Sequence, residues 1–247
     1  MLKPRRLNQG RTYNEWVAAN CRAAGVAGLE AAIGGEFAAF GIVELEILRY
    51  FGLTSEMCVI DVGCGAGRLA QPLSHFLHGP YLGTDVVPDL VSHARKVANR
   101  PDWRFEVVDK IVIRAADSSA DFVCFFPVFT HLLHEQTYLY LTEARRVLKP
   151  GGVIVFSFLE FAIDFHWNVF EATVRDELAQ GPHPLNMFLE RTAINRFIEK
   201  LGLDLIEFRD GGDVFVPLPA PLTLSDGRVM EKFGNLGQSL CAIRKAA

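Results

Sequence analysis

The stretch Val59-Ile60-Asp61-Val62-Gly63-Cys64-Gly65-Ala66-Gly67-Arg68-Leu69 decides the fold. An apolar run over 57–62 reads as a buried strand, three glycines follow at alternate positions, and a helical pattern covers 67–77. Glycines suit such a junction because the backbone must turn tightly and a ligand can approach where no Cβ intervenes. The start of the helix offers unpaired N–H groups to a negative or polar group. Asp85 follows Gly65 by twenty residues, at the end of the next strand, where a carboxylate can accept hydrogen bonds from two ribose hydroxyls. The spacing is GxGxG, and Arg68 stands where the dinucleotide fingerprint GxGxxG needs a small residue. Asp61, two residues before the first glycine, can orient the loop and meet a cationic amine, directly or through water. The pattern suits a nucleoside bearing an amino acid better than a pyrophosphate, and it argues against a nicotinamide oxidoreductase.

Outward from this loop, strands and helices alternate. Strands are expected over 80–84, 103–108, 121–126, 153–159, 203–208 and 239–244. Between them lie a helix opened by Pro88 and running to Asn99, an amphipathic helix over 135–148 stopped by Pro150-Gly151-Gly152, and a helix over 191–201 closed by Gly202. Alternation of this kind implies a parallel sheet covered on both faces, a doubly wound α/β sandwich of three layers. Residues 12–51 read as helical with a break at Gly34-Gly35, and Val43, Ile47 and Tyr50 share one face. The chain divides into an N-terminal helical cap, 1–52, and a main domain, 53–247. That domain carries long insertions at about 160–190 and 210–237, both candidates for a lid or substrate wall.

With 25 basic and 29 acidic residues among 247, the formal net charge is −4, which gives no bias toward nucleic acid. The basic start lacks the apolar segment of a secretory signal, and no apolar run approaches the length of a membrane span. The five cysteines are scattered without a CxxC pair, so neither a zinc site nor a disulfide framework is indicated and a cytoplasmic setting is expected. Cys58 and Cys124 fall in apolar strands and read as small core residues. Nineteen phenylalanines fill either the core or an apolar pocket, and composition leaves both open.

These residues resemble the class I S-adenosylmethionine (SAM)-dependent methyltransferases. The resemblance rests on 59–69, on Asp85, on Asp109 after the third strand, on the segment DFVCFFPVFTHL over 121–132, and on LTEARRVLKPGGVIVFSF over 141–158. It implies a mostly parallel sheet of seven strands whose last strand is antiparallel, with SAM as cofactor. Gly63, Gly65 and Gly67, with Cys64 between them, would pass under the methionine and ribose parts. Asp61 would sit near the methionine amine, Asp85 would hold the ribose, and Val86 would face the adenine. Asp109 would accept from the adenine amino group beside the Lys110 N–H. Phe126 would approach the methionine chain, and Tyr13 would close over the ligand.

The implied activity is in-line transfer of a methyl group to an oxygen, less so a nitrogen, of a small molecule. The competing reading is a protein of the same fold that holds SAM or S-adenosylhomocysteine (SAH) without turnover. His131 is the candidate base. His131 and His134 are spaced i, i+3, but no metal site is expected from them, and His134 reads as a helix start. His166 and His183 read as solvated loop histidines. No nucleic-acid or membrane partner is expected, and a homodimer remains open.

Overall fold

The computed structural model describes residues 28–30, 36–179 and 185–246. Seven strands form one sheet: β1 (Val59–Val62), β2 (Tyr81–Asp85), β3 (Arg104–Val107), β4 (Ala120–Phe125), β5 (Leu148–Phe158), β6 (Leu203–Arg209) and β7 (Ser239–Lys245). Their order is β3-β2-β1-β4-β5-β7-β6. The β2–β3, β1–β2, β1–β4 and β4–β5 pairs are parallel, while β7 runs antiparallel to both neighbours, β5 and β6. The expected sandwich and its antiparallel last strand are both present, with β7 inserted one place in from the edge.

Each sheet face has its own core. On one face, Val59, Cys124, Val153 and Val155 pack with α1 (Phe37–Tyr50), α2 (Ala70–Phe76) and α3 (Pro88–Ala98). On the other, Ile60, Val123, Ile154 and Phe156 pack with α4 (His134–Val147) and α6 (Arg191–Leu201). Residues of β1 and β4 are almost wholly buried, as strands covered on both sides must be. Of the phenylalanines near the carboxyl ends of β4 and β5, Phe125, Phe129, Phe156 and Phe158 are fully buried core rings, so they fill the interior and not a pocket. No described helix is long and apolar enough to cross a membrane.

Several expectations are corrected by the backbone. The helix after the glycines starts at Ala70, because Gly67 at φ +92° lies outside helical space. Strand β5 begins at Leu148 and runs through Pro150-Gly151-Gly152 instead of starting at Val153. Its pairing with β4 shifts register between Ala120 and Phe122, and Gly151 at φ +78° absorbs the irregularity. Val43 and Ile47 are buried as their spacing implies, but Tyr50 is exposed. The last turn of α1 passes the core, and the Tyr50 ring packs edge-on against Phe51 and Phe215 while its hydroxyl accepts from Arg209 at 2.7 Å. Cys124 is buried as expected, whereas Cys58 is only partly so. Within the first insertion, α5 (Asp164–Ala179) buries only His166, which is fully enclosed and bonded to the Gly237 carbonyl at 3.2 Å, so it is not a solvated loop residue. His183 lies outside the described residues.

One carboxylate lies inside the first core. Asp61 accepts from the Tyr81 hydroxyl at 2.8 Å and faces the Cys124 thiol at 3.8 Å. Burial pushes its pKa up to about 7, against the pull of the Tyr81 hydrogen bond and with help from nearby Glu44. A pKa raised in the folded state costs stability once the unfolded chain ionises and the folded one does not. The cost is absent below about pH 4, grows as pH rises, and is complete above about pH 7. Asp61→Asn is therefore expected to match the wild type in unfolding free energy from urea titration near pH 3.5 and to exceed it by about 2–4 kcal/mol near pH 8. Equal stabilities at the higher pH would contradict this account.

Candidate functional site

The carboxyl ends of β1 and β4 lie side by side while their connections leave on opposite faces, which opens a crevice above them. The glycine loop borders it. Gly63 N–H and Cys64 N–H both donate to the Thr84 carbonyl, at 2.7 and 2.9 Å, so the loop is sewn to the end of β2. Gly65 N–H donates to Asp85 Oδ2 at 3.0 Å, and Val87 N–H donates to Asp85 Oδ1 at 2.9 Å. Burial pushes the Asp85 pKa up to about 6 although these backbone donors hold it down.

A cavity of about 120 Å³ opens over this platform. Gly63 and Asp85 form its floor, with Val86 and Val108 on one side and Pro127, Val128, His131 and Tyr140 on the other. Gly63 has φ +76°, and a Cβ there would lie 2.4 Å from Val128 Cγ2, so only glycine fits. Each Asp85 oxygen accepts one backbone hydrogen bond, and a carboxylate has about four acceptor sites. Asp85 thus retains capacity for a pair of hydroxyl donors.

Gly63, Asp85, Val86 and His131 are brought together by the fold. The other expected residues sit apart from the cavity wall. Cys64 turns its side chain into the core, where burial pushes the thiol pKa well up. Gly67 serves close packing, since a Cβ would meet Ala94 Cα of α3 at 2.7 Å. Asp61 lies beneath the loop, and Phe126 is buried in the core facing α1. Asp109 and Lys110 are exposed just beyond Val108, with Asp109 3.9 Å from Arg114. Tyr13 lies outside the described residues.

Thr84, Val108 and Pro127, each beside an expected residue, also line the cavity, as does Val128, which the sequence reading does not single out. Tyr140 reaches the cavity from α4, and no local signal in the sequence marks it.

The two histidines have a shared geometry. His131 Nδ1–H donates to the Leu185 carbonyl at 2.7 Å, and His134 Nε2–H donates to the Phe188 carbonyl at 3.0 Å. Met187 N–H adds a bond to the Thr130 carbonyl at 2.7 Å. Together they pin residues 185–188, the end of the first insertion, beside the cavity. Desolvation lowers the His131 pKa, against the pull of its bond to the Leu185 carbonyl.

A family model described as a methyltransferase domain matches residues 60–156. The ubiquinone biosynthesis O-methyltransferase of Dinoroseobacter shibae is 30% identical over 177 residues, covering 68% of this chain and 67% of that protein. The protein of the same name from Cereibacter sphaeroides is also 30% identical over 177 residues, covering 68% of each chain. Among solved structures, a SAM-dependent methyltransferase from Methanosarcina mazei aligns with a TM-score of 0.57 at 15% identity, over 81% of this chain and 97% of that one. Magnesium protoporphyrin IX methyltransferase from Synechocystis PCC 6803, with bound SAH, gives a TM-score of 0.58 at 13% identity, over 85% and 86%. At such identities the structures bear on the fold alone. The sequence relatives carry the assignment further, and the glycine crevice lies within the matched segment: this chain belongs to the class I SAM-dependent methyltransferases.

Proposed function

We propose that this methyltransferase transfers the methyl group of SAM to an oxygen of a small molecule. The observation that carries the reading is the Asp85 carboxylate, gripped from below by two backbone N–H groups and open above to the cavity. Its remaining acceptor sites match the two neighbouring hydroxyls of a ribose. Transfer to oxygen is supported by the relatives, both named as O-methyltransferases.

When bound, SAM supplies an electrophilic methyl group on a sulfonium. The residues of the chain bind, orient and exclude water around it. Val86, 40% exposed at the cavity edge, offers an apolar face to a flat ring. Asp109 and Lys110 at the rim suit the polar edge of that ring. Gly63 admits the chain of the ligand toward Pro127, and Asp61 supports the loop from beneath. Holding donor and acceptor at near-attack distance is the main contribution such a site makes to the rate.

The geometry supports a different role for His131 from that of a base. It shares the cavity with Asp85 and Val86 and anchors the 185–188 segment through Nδ1, as a wall and a clamp.

Calorimetry should show saturable SAM and SAH binding that Asp85→Ala weakens by tenfold or more. An unchanged affinity would remove the site. Because the ionised carboxylate is the better acceptor and the better partner for a cation, SAM affinity should rise from about pH 5 to about pH 7 and then level off. A flat profile would exclude Asp85 as the titrating contact. Turnover is tested by label transfer from methyl-labelled SAM to hydroxylated small molecules, and a chain that binds SAM without transferring label to any acceptor would be a carrier. His131→Ala should raise the KM for SAM severalfold while kcat stays within threefold. A hundredfold loss of kcat would restore the base.

A further inference from the structure

Pro127 also lines a second cavity, of about 80 Å³, whose other walls are Phe40 and Glu44 of α1, Arg68 of the loop, Ser157 of β5, Leu236 and Gln238. Two of its polar atoms stand out. Ser157 Oγ and Gln238 Oε1 are buried and have no hydrogen-bond partner among the described residues. Ser157 as a whole is 1% exposed. A buried polar atom left unpaired costs about 1–3 kcal/mol, so native structures contain few of them. The surroundings do not share the deficit: Ser239, next to Gln238, donates to Glu160 Oε1 at 2.5 Å. Both residues of the orphaned pair line this one cavity.

The charged part of the wall is internally balanced. The Arg68 guanidinium meets Glu44 Oε1 through Nε at 2.9 Å, with both side chains buried. A buried ion pair of this kind asks for no net charge from a ligand. Phe40, Pro127 and Leu236 make the remaining wall apolar. Ser157 lies on β5, three places from β2 in the sheet. At ~4.8 Å per strand that is ~14 Å from the strand of Asp85. The sulfonium of SAM lies close to its ribose ring, so a ribose held at Asp85 would leave this cavity beyond it along the sheet.

Resting on the reading of the first cavity as the adenosyl site, we propose that the second cavity is the acceptor subsite, and that Ser157 and Gln238 select a neutral acceptor carrying a hydroxyl on a compact apolar body. Gln238 Oε1 can only accept, so its partner must donate. Ser157 Oγ can donate to the same hydroxyl oxygen or accept from a second one. A ligand of the same shape without the hydroxyl leaves both atoms unpaired and is rejected for that reason.

The probes are phenol and toluene, titrated by NMR against the full chain loaded with SAH, with crystals of the same complex soaked in each. Phenol should bind at least tenfold more tightly than toluene, with its oxygen within hydrogen-bond distance of Ser157 Oγ or Gln238 Oε1. Gln238→Leu and Ser157→Ala should each shrink that preference at least threefold, while SAH affinity stays within twofold of the wild type. SAH binding without a preference for phenol would overturn the subsite, as would a preference that survives both substitutions. So would finding the amino-acid end of SAH in this cavity. Failure of SAH to bind would instead sink the adenosyl reading, and the subsite with it.

Discussion

The Asp85 carboxylate accepts from Gly65 N–H at 3.0 Å and from Val87 N–H at 2.9 Å, and much of the site follows from this pair of contacts. The first joins the glycine loop after β1 to the end of β2. The second fixes the residue that precedes Pro88 and so sets where α3 begins. With Gly63 and Cys64 bonded to the Thr84 carbonyl, the loop has almost no freedom to slide along the strand ends. A ligand that meets Asp85 therefore meets a surface already in place, and little ordering remains to oppose binding.

The architecture places different tasks on different sides of Pro127. Toward β2 and β3 the wall comes from strand ends and from residues just after β4, among them His131, which with His134 and Thr130 holds the 185–188 segment. Toward β5 and β7 the wall comes from α1, Arg68 and the connection that leads into β7. That connection contains two short antiparallel ribbons, Val216–Pro217 with Phe233–Gly234 and Leu222–Thr223 with Val229–Met230. Val216 packs into the same core as α1, so the second insertion is anchored to the domain it decorates.

What could be read from the sequence divides along the same line. The glycine loop and Asp85 are local signals, because one strand, one turn and one carboxylate at fixed separation define a binding surface with little help from the rest of the chain. Alternating apolar runs gave the layered sheet for a similar reason. Gly67 and Cys64 share the motif and are also packing residues, Gly67 against α3 and Cys64 in the core, which spacing alone does not show. Phe126, just after β4, packs into the core, while the next two residues, Pro127 and Val128, line the cavity. His166 looked like a loop residue because the turn that encloses it is built with Gly211 and Gly237, far along the chain. Ser157 and Gln238 carry no pattern at all. A serine in an apolar strand and a glutamine before another strand become meaningful only when β5 and the chain entering β7 lie side by side.

Asp61 shows how the site and the stability of the fold pull in opposite directions. Its carboxylate is fully enclosed, held by Tyr81, and raised to a pKa of about 7 chiefly by burial. An apolar residue of similar volume would suit the core better if packing were the only requirement. Glu44 differs: burial raises its pKa against the pull of Arg68, and an apolar residue there would take this partner from a buried guanidinium. Asp61, on β1, lies beneath the glycine loop, and Glu44, on α1, lines the second cavity paired with Arg68. Asp61 is a local rule of folding broken on β1, just below the crevice, and a buried carboxylate shifted this far is a physical mark of function independent of any motif.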